Sequence, residues 1–200
     1  MMPESLKPGC MRKLILGQWL SVDGYAADKK GELGFFPWGE DTRELDLDQL
    51  KFMDSVDTIL LGRKTYEIFV SYWPDEGMKE VIGERLNSIP KVVISNSLKQ
   101  APWGTWANAL ILNGDLIAGI KTMKSKPGSD IILWGSISVA QTLMKANLVD
   151  EIHIHLAPAL AGGGRHLFSE SDDLKKLKLL SSRTYDNGVI FLKYQSMNHV

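Results

Sequence analysis

Alternation constrains this sequence more than any other feature: short apolar runs return along the chain with helix-like stretches between them. The runs are residues 13–21 (KLILGQWLS), 58–61, 91–95 (KVVIS), 109–113, 131–134 and 152–157. A run that is nearly continuously apolar suits a strand covered on both faces. Between them, residues 46–55, 65–72, 79–87, 116–124 and 138–146 read as helices, the second broken by Trp73-Pro74. Strands alternating with helices predict a mainly parallel sheet with helices on both faces. Near the end of the chain, residues 176–185 and 189–195 flank Asp186-Asn187-Gly188, a strong hairpin signal that adds antiparallel strands at one edge.

A chain of 200 residues that is 44% hydrophobic has material for one domain and none for a second large one. We expect a flexible lead-in over residues 1–11 and a single domain over residues 12–197. The 23 basic and 24 acidic side chains leave a net charge of −1, so no overall field draws the chain to nucleic acid or an anionic membrane. No apolar run approaches the roughly 18–20 residues that span a bilayer, and no secretory apolar core opens the sequence. Cys10 is the only cysteine, which excludes an internal disulfide and any cysteine-based zinc site and fits a reducing, cytoplasmic setting.

In open α/β sheets, ligands sit beyond the carboxyl ends of the strands. Three strand ends suit a phosphorylated cofactor. Gly62-Arg63-Lys64-Thr65 offers a close backbone approach, two cations and a hydroxyl at a helix start. Ser95-Asn96-Ser97 offers short hydrogen-bonding side chains, and Gly135-Ser136-Ile137-Ser138 opens another helix. Each segment alone also reads as an ordinary capped turn with solvated charges. Phe36, Trp38, Tyr66, Phe69 and Trp73 could wall a flat heterocycle or simply pack the core. His153 and His155 share one strand face without a third ligand in reach, so a neutral packed pair is expected and no metal. The run Gly162-Gly163-Gly164 reads as a flexible turn letting a strand leave the sheet.

In order and spacing, LGRKTYE, VVISNS and IILWGSISVAQTL resemble the cofactor-binding segments of dihydrofolate reductases. The continuation LVDEIHIHLAPALAGGGRHLF, and the SVDG turn at 21–24, resemble the reductase domain of the riboflavin-pathway deaminase/reductase and its stand-alone relatives. The likeness spans about residues 12–195. It implies a dihydrofolate-reductase-like three-layer α/β fold, NADPH as hydride donor and, often, a homodimer. By position, Arg63, Lys64, Ser95 and Asn96 would meet the 2′-phosphate and adenosine. Thr65, Gly135, Ser136, Ile137 and Ser138 would meet the pyrophosphate, Gly62 and Trp134 belong to the same cofactor-binding set, and Gln18 would lie near the nicotinamide. Where dihydrofolate reductases carry consecutive glycines, this chain has Trp134-Gly135-Ser136.

On the substrate side, Asp46 falls near the acid that binds and helps protonate the pterin in dihydrofolate reductases; it also reads as an N-cap. Gln18, Asp23, Trp38 and Phe69 complete the expected pocket, Asp23 reading equally as a turn residue. The implied function is NADPH-dependent reduction of a small polar substrate, pterin-like or a ribosylated pyrimidine. The alternatives are the riboflavin-pathway ribosylaminopyrimidine reduction itself and a non-catalytic NADPH-binding regulatory module. The Cys and His ligands of a zinc deaminase domain are missing from the sequence.

Overall fold

A computed structural model describes residues 11–36, 42–168 and 174–197. Residues 1–10 of the expected lead-in and the pocket residue Trp38 lie outside these. In chain order the elements are β1 (Leu14–Ser21), β2 (Tyr25–Ala27), α1 (Arg43–Met53), β3 (Val56–Gly62), α2 (Arg63–Val70), α3 (Gly83–Ser88), β4 (Lys91–Ile94) and β5 (Leu110–Leu112). They continue with α4 (Leu116–Ser125), β6 (Asp130–Trp134), α5 (Ile137–Lys145), β7 (Glu151–Ala157), β8 (Arg165–His166), β9 (Leu177–Thr184) and β10 (Ile190–Ser196).

Eight strands form one sheet in the order β5-β4-β3-β6-β1-β7-β10-β9. From β5 to β7 all neighbours are parallel; β10 and β9 then join antiparallel, as the terminal hairpin signal predicted. Gly188 closes that hairpin at φ 82°, its N–H bonded to the Tyr185 carbonyl.

Because successive side chains alternate across a strand, β1 feeds two cores. Leu14, Leu16 and Leu20 pack toward Ile120 of α4 and Val139, Ala140 and Leu143 of α5. Ile15 faces the other way, joining Ile59, Leu61, Val93 and Ile132 beneath Met53 of α1, Tyr66 of α2 and Leu86 of α3. Each such side chain contributes about 1.5–3 kcal/mol when fully buried. Helices therefore cover both faces, α1 to α3 on one and α4 and α5 on the other.

Three local departures from the sequence reading stand out. The helix expected from residue 46 begins three residues earlier, at Arg43, with Thr42 as its N-cap, so Asp46 lies inside the first turns and is not the cap. The helix expected over 79–87 is shortened to α3 and preceded by a 3-10 turn, Glu76–Lys79; Gly83, its first residue, lies against the Gly77 carbonyl with no room for a Cβ. Finally, β2 and β8 pair as a separate two-stranded ribbon too short to leave a period-two signal.

Candidate functional site

Helix α2 leaves β3 toward one face of the sheet, and α5 leaves the neighbouring strand β6 toward the other. Adjacent strands whose connections depart in opposite directions open a crevice at their carboxyl ends. Here the two helix starts touch. A Cβ on Gly62 would collide with Ser136 Oγ, and one on Gly135 would lie 3.1 Å from Thr65 Cγ2. Neither helix start has a side-chain cap. The N–H groups of two first turns thus converge on one gap, the backbone arrangement that attracts an anion.

The two junctions differ in backbone. Gly62 is extended, at φ −75° and ψ 161°, so close approach alone demands a glycine there. At the β6 to α5 junction both Gly135 (φ 59°) and Ser136 (φ 60°) are left-handed. For a serine this conformation costs about 1–2 kcal/mol. The pair of glycines missing at this point of the sequence thus answers a real backbone requirement, met here by one glycine and one strained serine.

The remaining expected cofactor residues line up on either side. Gly62 pairs with Ile94 across β3 and β4, which sets Arg63 beside Ser95 at adjoining strand ends. Arg63 is exposed and donates to Glu67 Oε1 at 3.0 Å, one turn along α2; Lys64 is exposed too. Ser95 Oγ accepts the N–H groups of Ser97 and Leu98, and Asn96 Oδ1 accepts the Gly114 N–H at 2.8 Å, which ties the end of β4 to the turn after β5. On the opposite flank Gly17 pairs with Trp134, so Gln18 of β1 adjoins Gly135. Ser95 and Asn96, then Arg63, then Gly135 and Ser136 follow one another across the ends of β4, β3 and β6, and Gln18 continues the row in the middle of β1. At the usual strand spacing this track is about 14 Å long.

Trp134 enters this track by its backbone only. Its indole lies over Gly17, where a Cβ would come within 2.8 Å of Cδ1, and its ring is 6.2 Å from that of Phe69. That sets both rings on the α2 side of the sheet. Tyr66 is core, its hydroxyl bonded to the Pro102 carbonyl.

On the same sheet face, Trp19 stacks on His155 at 4.8 Å and meets Phe36 at 4.6 Å, while Phe191 meets His155 at 4.9 Å. Burial pushes His155 down to about 3. His153 is also lowered by burial, against an opposing hydrogen bond from Nε2 to Glu151 Oε2 at 3.1 Å. Both imidazoles are neutral at neutral pH. Among the described residues no cluster of three His, Cys, Asp or Glu side chains could hold a metal. Asp46 is half-buried, and its Oδ2 accepts the Thr42 hydroxyl at 2.9 Å.

Asp23 serves as a clasp. It accepts hydrogen bonds from the Ser21 hydroxyl at 2.6 Å and from the N–H groups of Ala161 and Gly162 at 2.9 and 2.8 Å. The Ser21 bond, followed by the backbone bonds, draws its carboxyl down to about 2. The start of the glycine run is consequently pinned to the end of β1, where the sequence suggested a flexible turn. Sequence reasoning missed Trp19 and His155 as ring partners; period-two spacing placed each on a strand face without showing that they meet.

No described helix is long and apolar enough to cross a membrane. Residues 12–191 match the family described as the RibD C-terminal domain. The chain is 28% identical over 186 residues to the uncharacterized protein YyaP of Bacillus subtilis, covering 92% of this chain and 94% of that one. Among solved structures, a putative riboflavin biosynthesis protein from Shewanella sp. PV-4 superposes with a TM-score of 0.75 at 25% identity, over 92% of this chain and 98% of that one. The dihydrofolate reductase of Enterococcus faecalis, complexed with NADP(H), superposes with a TM-score of 0.60 at 16% identity, over 92% and 96%. The fold is therefore dihydrofolate-reductase-like, as the sequence resemblance implied.

Proposed function

The chain belongs to the RibD C-terminal domain family, and from that premise we propose that it is an NADPH-dependent reductase of a small polar substrate, pterin-like or a ribosylated pyrimidine. One observation carries the reading: the uncapped starts of α2 and α5 meet at Gly62, Thr65, Gly135 and Ser136. Two first turns of N–H donors and the Ser136 hydroxyl suit a pyrophosphate, and the close approach at Gly62 brings both helix starts within reach of one group. The chain's donors fit the cofactor on the adenosine side as well. Among the described residues Arg63 is held only by an exposed pair with Glu67, worth at most about 1 kcal/mol, so its guanidinium can turn to a 2′-phosphate with two parallel hydrogen bonds. Lys64 adds charge there, and Ser95 and Asn96 flank the adenosine.

NADPH, when bound, supplies the hydride; the chain positions it and shapes the substrate face. In this reading Trp134, Phe69, Trp19 and Phe36 offer flat apolar walls to a heterocycle. Asp46 is the acid that binds the ring and holds a proton for it, kept in place by Thr42. The Shewanella likeness favours a substrate of riboflavin biosynthesis within this class.

The assembly is a homodimer. Every residue of the edge strand β9 is exposed, including Leu177, Leu179 and Leu180. An open apolar edge of this kind pairs with its own copy about a two-fold axis; sedimentation that returns only a monomer would remove this element. The cofactor assignment is tested by titrating the protein with NADPH and with NADH, followed by tryptophan fluorescence, then by loss of reduced nicotinamide absorbance against pterin and ribosylaminopyrimidine substrates. Tight NADPH-selective binding with turnover is expected. Binding without turnover of either substrate class would instead favour a regulatory NADPH-binding module, and failure to bind either nucleotide would sink the reading.

A further inference from the structure

Helix α1 carries Asp46 on one flank and is gripped by the other. At 3.6 residues per turn, Glu44 and Asp48 lie about 40° apart around the helix and Asp46 about 160° from either. The buried residues Leu45 and Met53 come between the two flanks. Arg183 of β9 lies directly opposite Phe191 of β10, so it shares the sheet face on which Leu45 packs. Two of its nitrogens divide the grip: Nη1 donates to Asp48 Oδ2 and Nη2 to Glu44 Oε1. The Tyr185 ring backs the guanidinium at 5.2 Å, and its hydroxyl donates to Asp48 Oδ2 at 3.3 Å.

The two ends of α1 are fixed differently. At the carboxyl end Met53 is fully buried, its carbonyl accepts Arg85 Nη2 at 2.8 Å, and Phe52 meets His153 at 5.1 Å. Asp46 sits about two turns earlier, in the half that the terminal hairpin holds through Arg183, Tyr185 and the packing of Leu45. The Arg183 and Glu44 side chains are 43% and 51% accessible, and ion pairs this exposed add little to stability. What two nitrogens on two carboxylates one turn apart do fix is the roll of the helix about its axis. A carboxyl about 5–6 Å from that axis moves about 2 Å for a roll of roughly 20°. A misplacement of about 1 Å can cost about 100-fold in rate.

Resting on the reductase reading above and its assignment of Asp46, we propose that Arg183 is a positioning residue: its grip on Glu44 and Asp48 sets the roll of α1 and so aims the Asp46 carboxyl at the substrate. Arg183 itself touches neither substrate nor cofactor, since β9 lies three strands beyond β1 at the edge of the sheet. The terminal hairpin thereby governs the side chain that holds the proton. The strand ends of β4, β3 and β6 hold the cofactor independently of it.

A double-mutant cycle tests this, read as kcat at saturating acceptor with NADPH and either dihydrofolate or a ribosylaminopyrimidine. Arg183→Met should lower kcat about tenfold and leave NADPH affinity, followed by tryptophan fluorescence, unchanged. In an Asp46→Asn background the same substitution should have no further effect. Asp48→Asn removes half of the same grip and should follow the same pattern, so it decides the outcome should Arg183→Met not fold. Equal fold losses in both backgrounds overturn the proposal, as does a wild-type kcat for Arg183→Met. A fall in NADPH affinity alongside kcat also overturns it, being the mark of a general loss of structure. Wild-type turnover by Asp46→Asn removes Asp46 from the reaction and the proposal with it. A wild-type protein that binds no NADPH and reduces neither acceptor overturns the reductase reading itself, a result distinct from normal wild-type turnover with an indifferent Arg183.

Discussion

The junction from β3 to α2 and the junction from β6 to α5 present helix starts to the same gap by different means. Gly62 is relaxed in backbone and required only because Ser136 Oγ occupies the space a side chain would need. Gly135 and Ser136 are both left-handed, and the serine stores strain in exchange for a hydroxyl at the crevice. The difference teaches that the two positions are coupled: the small residue on one strand end exists to accommodate the strained one on the next.

The sharpest way to break the comparison is Gly62→Ala. Overpacking against Ser136 should cost about 1–3 kcal/mol of stability, read by denaturant unfolding, and separating the helix starts should weaken NADPH by more than about tenfold. Adding Ser136→Gly should restore much of the stability, a non-additive pair; simple additivity would disprove the coupling. Next in size, Arg63→Ala should weaken NADPH by about 10- to 100-fold through loss of charge-assisted hydrogen bonds while leaving NADH nearly unchanged. Equal weakening of both nucleotides would remove Arg63 from the 2′-phosphate. Ser136→Gly alone sharpens the contrast further. Relief of left-handed strain, partly offset by the freedom of glycine in the unfolded chain, should raise stability by about 0.5–1 kcal/mol, while NADPH affinity falls as the hydroxyl is lost.

The end of β1 provides the smallest effect and a control, because its turn is held by a side chain and not by backbone strain. Asp23 has a carboxyl drawn down to about 2 by Ser21 and the backbone of Ala161 and Gly162. Its folded-state pKa lies below the unfolded value near 4, so the stability it contributes is complete above that value and is lost as pH falls toward 2. Asp23→Asn should flatten acid unfolding in that window and leave NADPH affinity at neutral pH unaltered. An unchanged acid limb would show that the clasp contributes nothing.

Much of the fold was legible because its signals are local. Nearly continuous apolar runs marked the strands buried on both faces, and Asp186-Asn187-Gly188 marked the terminal hairpin. Glycine and short polar residues marked the strand ends that form the track. The start of α1 was misread because Asp46 has the chemistry of a cap, yet Thr42 precedes the helix and engages it. The β2 and β8 ribbon left no pattern, since two or three residues cannot establish a period.

The sequence by itself marked the strands of the main sheet, the alternation that sends successive side chains to opposite faces, and the strand ends whose residues suit a phosphate. Those properties depend on neighbours along the chain. Only the tertiary structure decided that β6 lies between β3 and β1, that Ser136 meets Gly62, and that the Trp134 indole covers Gly17. Period-two spacing assigns a side chain to a face but is silent about which strand lies alongside. Strand order is set by how the crossovers pack on the two faces of the sheet, and every close approach in the crevice follows from that order.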